Sequence, residues 1–312
     1  MNEHDTELYY LSSDKNHRVH GVIFRPALGV PVRGVIQIAH GMIDHIGRYE
    51  DFARKFCEAG FVVGGNDHLG HGKNVWDAEE YGFFAEKNGI QYVLEDMHTM
   101  TGLLKKEYPG LPFVLLGHSM GSFFSRLYAV TYGQELSGLI IHGTGGPNPA
   151  LPVGKALSAV IRLFAGPRHR SKFLADLTFA GYNSHFDKAE GPDAWLSRDG
   201  AYLHRNGHDE MTGFIFTVAA YQDLFRLVGR VNSRRWFEEY PKTLPTLLVS
   251  GTEDPVGAYG KGPTYVHRHL MMEGVSPLSL RLYEGARHEL FNETCRDEVA
   301  ADILSFIGES VL

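Results

Sequence analysis

Three short stretches hold residue types suited to nucleophilic acyl chemistry. The first is GHSMG at 117–121, a G-x-S-x-G turn with Ser119 at its apex. A serine hydroxyl is a poor nucleophile until a base takes its proton. Two later stretches supply the partners in the order acid, then histidine: LLVSGTEDPVG carries Asp254 and LYEGARHELFNE carries His288. In this reading His288 takes the Ser119 proton and returns it to the leaving group. Asp254 orients the ring and stabilises its charged form. Glu253 is the neighbouring alternative for the acid, and Asp254 is preferred for its position before Pro255. A tetrahedral oxyanion also needs donors. The backbone N–H of Met120 is one candidate, and that of Met42, in AHGM at 39–42, is the other. Gly41 would let a substrate approach closely.

These residues need elements that bring them to one place. ELYYLSS and RVHGVIFRP read as a hairpin joined by DKNH. Short apolar strands follow at 34–40, 61–67, 111–117, 136–143, 244–251 and 278–285. Helical patterns lie at 48–60, 89–108, 122–133, 264–274 and 296–310. Continuous apolar strands alternating with helices predict a mostly parallel sheet covered on both faces. Ser119, Asp254 and His288 each follow a strand, so all three fall at the carboxyl edge of that sheet. Between 147 and 242 the strand–helix beat stops and only helical patterns broken by Gly and Pro remain. The expected organisation is an α/β core at 1–146 and 243–312, interrupted by a helical cap insertion at 147–242.

Composition narrows the function classes. The chain has 312 residues, 43% hydrophobic and 21% charged, with a net charge of −7, an ordinary composition for a soluble globular protein. Basic residues are scattered, and PRHRSK at 167–172 is too short for a nucleic-acid footprint, so no nucleic-acid partner is expected. Cys57 and Cys295 sit in no C-x-x-C pattern, and isolated cysteines read as free thiols of a reducing compartment. The polar, acidic MNEHDTELYY is unlike a signal peptide, and no apolar run has the length of a membrane span. The expected location is cytoplasmic. Seventeen histidines show no H-E-x-x-H or comparable spacing, so neither a metal nor a cofactor is expected.

At this point the chain resembles the α/β-hydrolase superfamily, and within it the monoacylglycerol lipase and bacterial lysophospholipase group often labelled serine aminopeptidase-like. The resemblance is carried by HGMIDHIGRYEDFARKFCEAGFVVGGNDHLGHG at 40–72, GHSMGS at 117–122, SGTEDPVG at 250–257 and GARHELFNE at 285–293. It includes the D-H-x-G-H-G signature from Asp67 to Gly72, and WLSRD at 195–199 and FTVAAYQDLF at 216–225 are similar to cap segments of bacterial relatives. The resemblance implies an α/β-hydrolase fold, a triad of Ser119, Asp254 and His288, oxyanion donors at Met42 and Met120, and a cap over an acyl-binding pocket. Asp44 stands where relatives often have Glu, and this shorter acid should serve loop structure. NGHDE at 206–210 departs from the Asp-Pro dipeptide often found there. Asp67, His68 and His71 are expected to brace the loop beside the oxyanion hole; the family uses no metal here.

The expected substrate is a small acyl ester of monoacylglycerol or lysophospholipid type, cleaved through an acyl-enzyme. His40, Gly41, Phe214 and Tyr221 are the candidate substrate-binding residues, with Phe216 and Phe225 as further pocket or cap-core residues. A short-chain esterase, an amidase or peptidase, and a non-catalytic binding protein on the same fold are the competing readings. The apolar stretch ALPVGKALSAVIRLFAG at 150–166 is expected to cover the acyl tunnel and pack on the core. Transient contact with a membrane surface is its alternative role. Oligomeric state is not legible.

Overall fold

The computed structural model describes residues 3–312. Strands β1 (Thr6–Leu11) and β2 (Arg18–Phe24) form an antiparallel hairpin. Then come β3 (Gly34–Ala39), α1 (Glu50–Glu58), β4 (Phe61–Asn66), α2 (Gly89–Glu107), β5 (Phe113–His118), α3 (Met120–Tyr132) and β6 (Gly138–His142). Residues 147–242 hold α4 (Leu151–Ala165), α5 (Lys172–Thr178), α6 (Gly200–Asn206), α7 (Val218–Val231) and α8 (Arg234–Glu239), and no strand. The chain ends with β7 (Thr246–Gly251), α9 (Lys261–Met272), β8 (Leu278–Tyr283) and α10 (Arg296–Ser310).

The eight strands form one sheet in the order β1-β2-β4-β3-β5-β6-β7-β8. β2 runs antiparallel to β1 and β4, and every pair from β4 to β8 is parallel. Strands β3 to β7 are buried at every position, as a sheet covered on both faces requires. On one face Phe52 and Phe56 of α1 pack with Ile303 and Ile307 of α10. On the other, Met97 of α2, Phe124 and Tyr128 of α3 and Leu270 of α9 share one cluster with Leu174, Phe216, Tyr221 and Leu227 from 147–242. The inserted helices therefore bury their apolar faces on the sheet's own core. Gln37, Met97 and Thr101 supply the few polar contacts in this layer.

Candidate active site

Ser119 sits between β5 and α3 with φ of 52° and ψ of −118°, a backbone region that non-glycine residues seldom occupy. The turn is held by the Ser119 N–H donating to the His142 carbonyl at 3.0 Å, and by the Ser122 hydroxyl donating to the Ser119 carbonyl at 2.6 Å. Both flanking glycines are steric necessities. A Cβ on Gly117 would lie 2.2 Å from Ser125 Oγ, and one on Gly121 would lie 2.0 Å from the Ala39 carbonyl oxygen. The second contact presses the start of α3 against the end of β3, just before the loop that carries Met42.

Asp254 and His288 come from the loops after β7 and β8. His288 Nδ1–H donates to Asp254 Oδ1 at 2.9 Å, which leaves Nε2 as the basic atom. Asp254 is 0% exposed; its Oδ1 also accepts the Val256 N–H at 2.9 Å and its Oδ2 the Ser250 hydroxyl at 3.2 Å. Glu253 is tied to the same region only through its backbone N–H, which donates to Ala286. No hydrogen bond joins Ser119 to His288 in this conformation, a common state for a site without substrate. Both line one cavity of about 480 Å³, together with Gly41, Met42 and Met120. The same cavity has apolar walls from Phe123, Phe179, Trp195, Leu224 and Val256, and a polar end from Asp44, Arg48, Asp193 and Glu289.

The loop carrying Met42 is fixed by carboxylates and neutral imidazoles. Asp44 Oδ2 accepts the Gly41 N–H at 3.0 Å and the Tyr49 hydroxyl at 2.6 Å, while Oδ1 accepts from Arg48 at 2.6 Å. Burial works against ionisation of Asp44, but the Arg48 charge and the surrounding donors outweigh it and hold the carboxyl well below the usual range. His40 Nδ1–H donates to the Gly41 carbonyl at 2.8 Å, its Nε2 accepts the His68 N–H at 2.8 Å, and His71 Nε2 accepts the Ile43 N–H at 3.3 Å. Burial lowers the pKa of all three rings, His68 to about 3 and His71 to about 4. Five of their six ring nitrogens bond backbone groups, and His68 Nδ1 is buried without a partner; among the described residues no group of three His, Cys, Asp or Glu side chains is placed to hold a metal. Asp67 completes the brace by accepting the Ile46 N–H at 2.8 Å and His20 Nδ1–H at 2.7 Å.

Three of the expected substrate-binding residues do not line the cavity. His40 is fully buried behind Gly41. Phe214 stacks on Tyr81, with centroids 4.9 Å apart, and meets His71 edge-on. Tyr221 lies fully buried in the core cluster, its hydroxyl without a partner. Helical spacing marks α7 as apolar on one face, and α7 packs against α2, α3 and α4. Of the four, only Gly41 lines the cavity. The residues missed are Arg48, Phe179, Tyr182, Asp193, Trp195 and Glu289. Glu289 was signalled only by its adjacency to His288, and the others lie where no periodicity singles them out. Arg48 binds Glu289 at 3.0 Å as well as Asp44, and Tyr202 donates to the same Glu289 carboxylate.

The family described as Hydrolase_4, serine aminopeptidase S33, matches residues 30–295. A monoacylglycerol lipase of Mycolicibacterium smegmatis is 29% identical over 275 residues, 88% of each chain. The human monoglyceride lipase is 26% identical, over 85% of this chain and 78% of that one. Among solved structures, a thermostable carboxyl esterase from Bacillus coagulans, crystallised with glycerol, superposes with a TM-score of 0.92 at 30% identity, covering all of both chains.

Proposed function

This chain belongs to the Hydrolase_4, serine aminopeptidase S33 family and is a serine ester hydrolase, and on that footing we propose that Ser119, His288 and Asp254 cleave a monoacylglycerol-like ester inside the described cavity. The observation that carries the reading is the gathering of Ser119, His288, Met42 and Met120 on one cavity with both apolar and polar walls. About 480 Å³ is within the range of small-molecule sites. His288 Nε2 takes the hydroxyl proton as Ser119 attacks the ester carbonyl. The Met42 and Met120 N–H groups donate to the oxyanion, and the imidazolium is held by Asp254. The proton passes to the leaving alcohol, and water then resolves the acyl-enzyme by the same route. Apolar walls suit the acyl chain and the polar end suits a hydroxylated alcohol.

Residues 147–242 act as the cap over this cavity, since Phe179, Tyr182, Trp195 and Leu224 all come from them. Contact of the cap with a lipid surface is favoured by α4 and α5, which expose Leu163 (79%), Phe164 (83%), Val160 and Phe173 beside Lys155 and Lys172. Among the described residues no helix is long and apolar enough to cross a membrane. Two free cysteines suit a reducing compartment, and the cytoplasm is the proposed location. The deciding assay is a panel of monoacylglycerols, lysophospholipids, p-nitrophenyl esters and amides. Monoacylglycerols of medium or long chain should give the highest kcat/KM. Faster cleavage of amides, or of acetyl esters over all longer chains, would overturn the substrate proposal.

A further inference from the structure

The loop that carries His288 is held by the inserted helical region as much as by the core. The His288 N–H donates to the Trp195 carbonyl at 3.3 Å, and the Glu289 N–H to the Leu196 carbonyl at 2.8 Å. Arg287 donates to the carbonyls of Ala194 at 2.7 Å and Ser197 at 3.1 Å. In the opposite direction, the Ser197 hydroxyl donates to the Asn292 carbonyl at 2.8 Å and Arg198 pairs with Glu293 at 3.0 Å. The two segments are thus laced together on both sides of His288, although 93 positions separate Arg287 from Ala194.

The ring itself has two further constraints. Its Nδ1 is fixed on Asp254, but a single hydrogen bond leaves the ring plane free to swing, because the last torsion of a histidine has a broad minimum. The Trp195 indole packs against it, with centroids 5.2 Å apart and planes 32° apart. Trp195 is in turn wedged by Tyr182 at 5.0 Å and Phe179 at 6.0 Å. On the core side, His118 packs at 4.9 Å, and a Cβ on Gly143 would come within 3.1 Å of the His288 ring.

We propose that Trp195, seated by segment 194–198, is a positioning residue that sets the plane of the His288 ring. The inference rests on His288 being the base of the proposed reaction.

The test is the kinetics of Trp195→Ala, Trp195→Leu and Trp195→Phe on p-nitrophenyl acetate, whose acyl group has no chain to lay on the aromatic wall, and on p-nitrophenyl decanoate. Misplacing a catalytic group by about 1 Å can cost on the order of 100-fold. Trp195→Ala and Trp195→Leu should therefore lose about tenfold or more in kcat on the acetyl ester with KM little changed, and Trp195→Phe should restore most of it. Normal kcat on the acetyl ester, with only KM for the decanoyl ester raised, would reduce Trp195 to a pocket wall and overturn the proposal. Trp195→Leu keeps apolar bulk, so it serves if the alanine variant fails to fold. His288→Ala separates the two readings. If it retains turnover the parent assignment fails; if it is inactive while Trp195→Leu is normal, only the positioning role fails.

Discussion

Asp254 and His288 are 34 positions apart in the chain and 2.9 Å apart in space, each buried and each in a loop after a parallel strand. Neighbouring strands β7 and β8 pair in register from Thr246 with Leu278 to Gly251 with Tyr283. That register delivers the proposed acid and base side by side beyond the sheet's edge. β5, two strands from β7, delivers Ser119 to the same edge.

Ser119→Ala should lower ester hydrolysis by about 10³-fold or more and abolish labelling by a fluorophosphonate probe. Circular dichroism should show an unchanged fold. Retained turnover would remove Ser119 from its role.

Asp254→Asn should cost about 10⁴-fold in kcat, the scale seen when the orienting carboxylate of a serine triad is replaced. Glu253→Gln should stay within about twofold, because only its backbone enters the site. The reverse ranking would identify Glu253 as the acid.

Gly121→Ala should destabilise and inactivate together. Its Cβ would meet the Ala39 carbonyl at 2.0 Å and the His40 carbonyl at 2.5 Å, so α3 and the loop bearing Met42 must separate. Overpacking of this kind typically costs about 1–3 kcal/mol. A denaturation midpoint and an activity both equal to the unsubstituted protein's would contradict the close approach.

Acid should unfold the protein well before its carboxylates are exhausted. Burial holds His40, His68, His71, His118 and His142 below their ordinary pKa. The unfolded chain protonates such rings near about 6.5 while the folded rings stay neutral, so stability falls as pH drops below that value. Asp96 and Asp223 act the other way. Burial pushes both up to about 6, so their contribution is present at low pH and is lost as pH rises through 6. Burial also raises Asp193. The buried rings outweigh the raised carboxyls, so the unfolded chain takes up protons near pH 5 and stability falls as pH drops through that window. Urea unfolding at pH 6.5, 5.5 and 5.0 measures this. A stability flat across that window would refute it.

Leu163→Asp with Phe164→Asp should leave hydrolysis of a dissolved short ester within about twofold and lower turnover on vesicle-borne monoacylglycerol about 30-fold or more, since each exposed apolar side chain lost from a lipid contact removes on the order of 1–2 kcal/mol. Unchanged activity on both substrates would remove α4 from any lipid contact.

Much of the fold was legible because local pattern and tertiary role coincide there. Apolar runs marked β3 to β7, since a strand buried on both faces must be apolar throughout, while β8 at the sheet edge was marked although only partly buried. The G-x-S-x-G turn was legible because two glycines are demanded by contacts within a few residues of the serine or at a strand end. The inserted helices were recognisable as helices, but Phe214 and Tyr221 were assigned to the cavity and lie against His71 and in the core. An amphipathic helix tells which face is buried and not what it is buried against.

By itself, the sequence determined the order of elements and singled out Ser119 as candidate nucleophile, His288 as candidate base and Asp254 or Glu253 as candidate acid, because each is written in a short stretch whose chemistry is local. Only the tertiary structure decided that Arg48 bridges Asp44 and Glu289, that His71 holds the Ile43 amide, and that Trp195 covers His288. Apart from the i,i+4 pair Asp44–Arg48, those pairings cross from 28 to 241 positions of chain. Residues so far apart meet only once packing has closed the loops between them, and no periodicity along the chain records which of many equivalent polar or aromatic side chains will be the one that arrives.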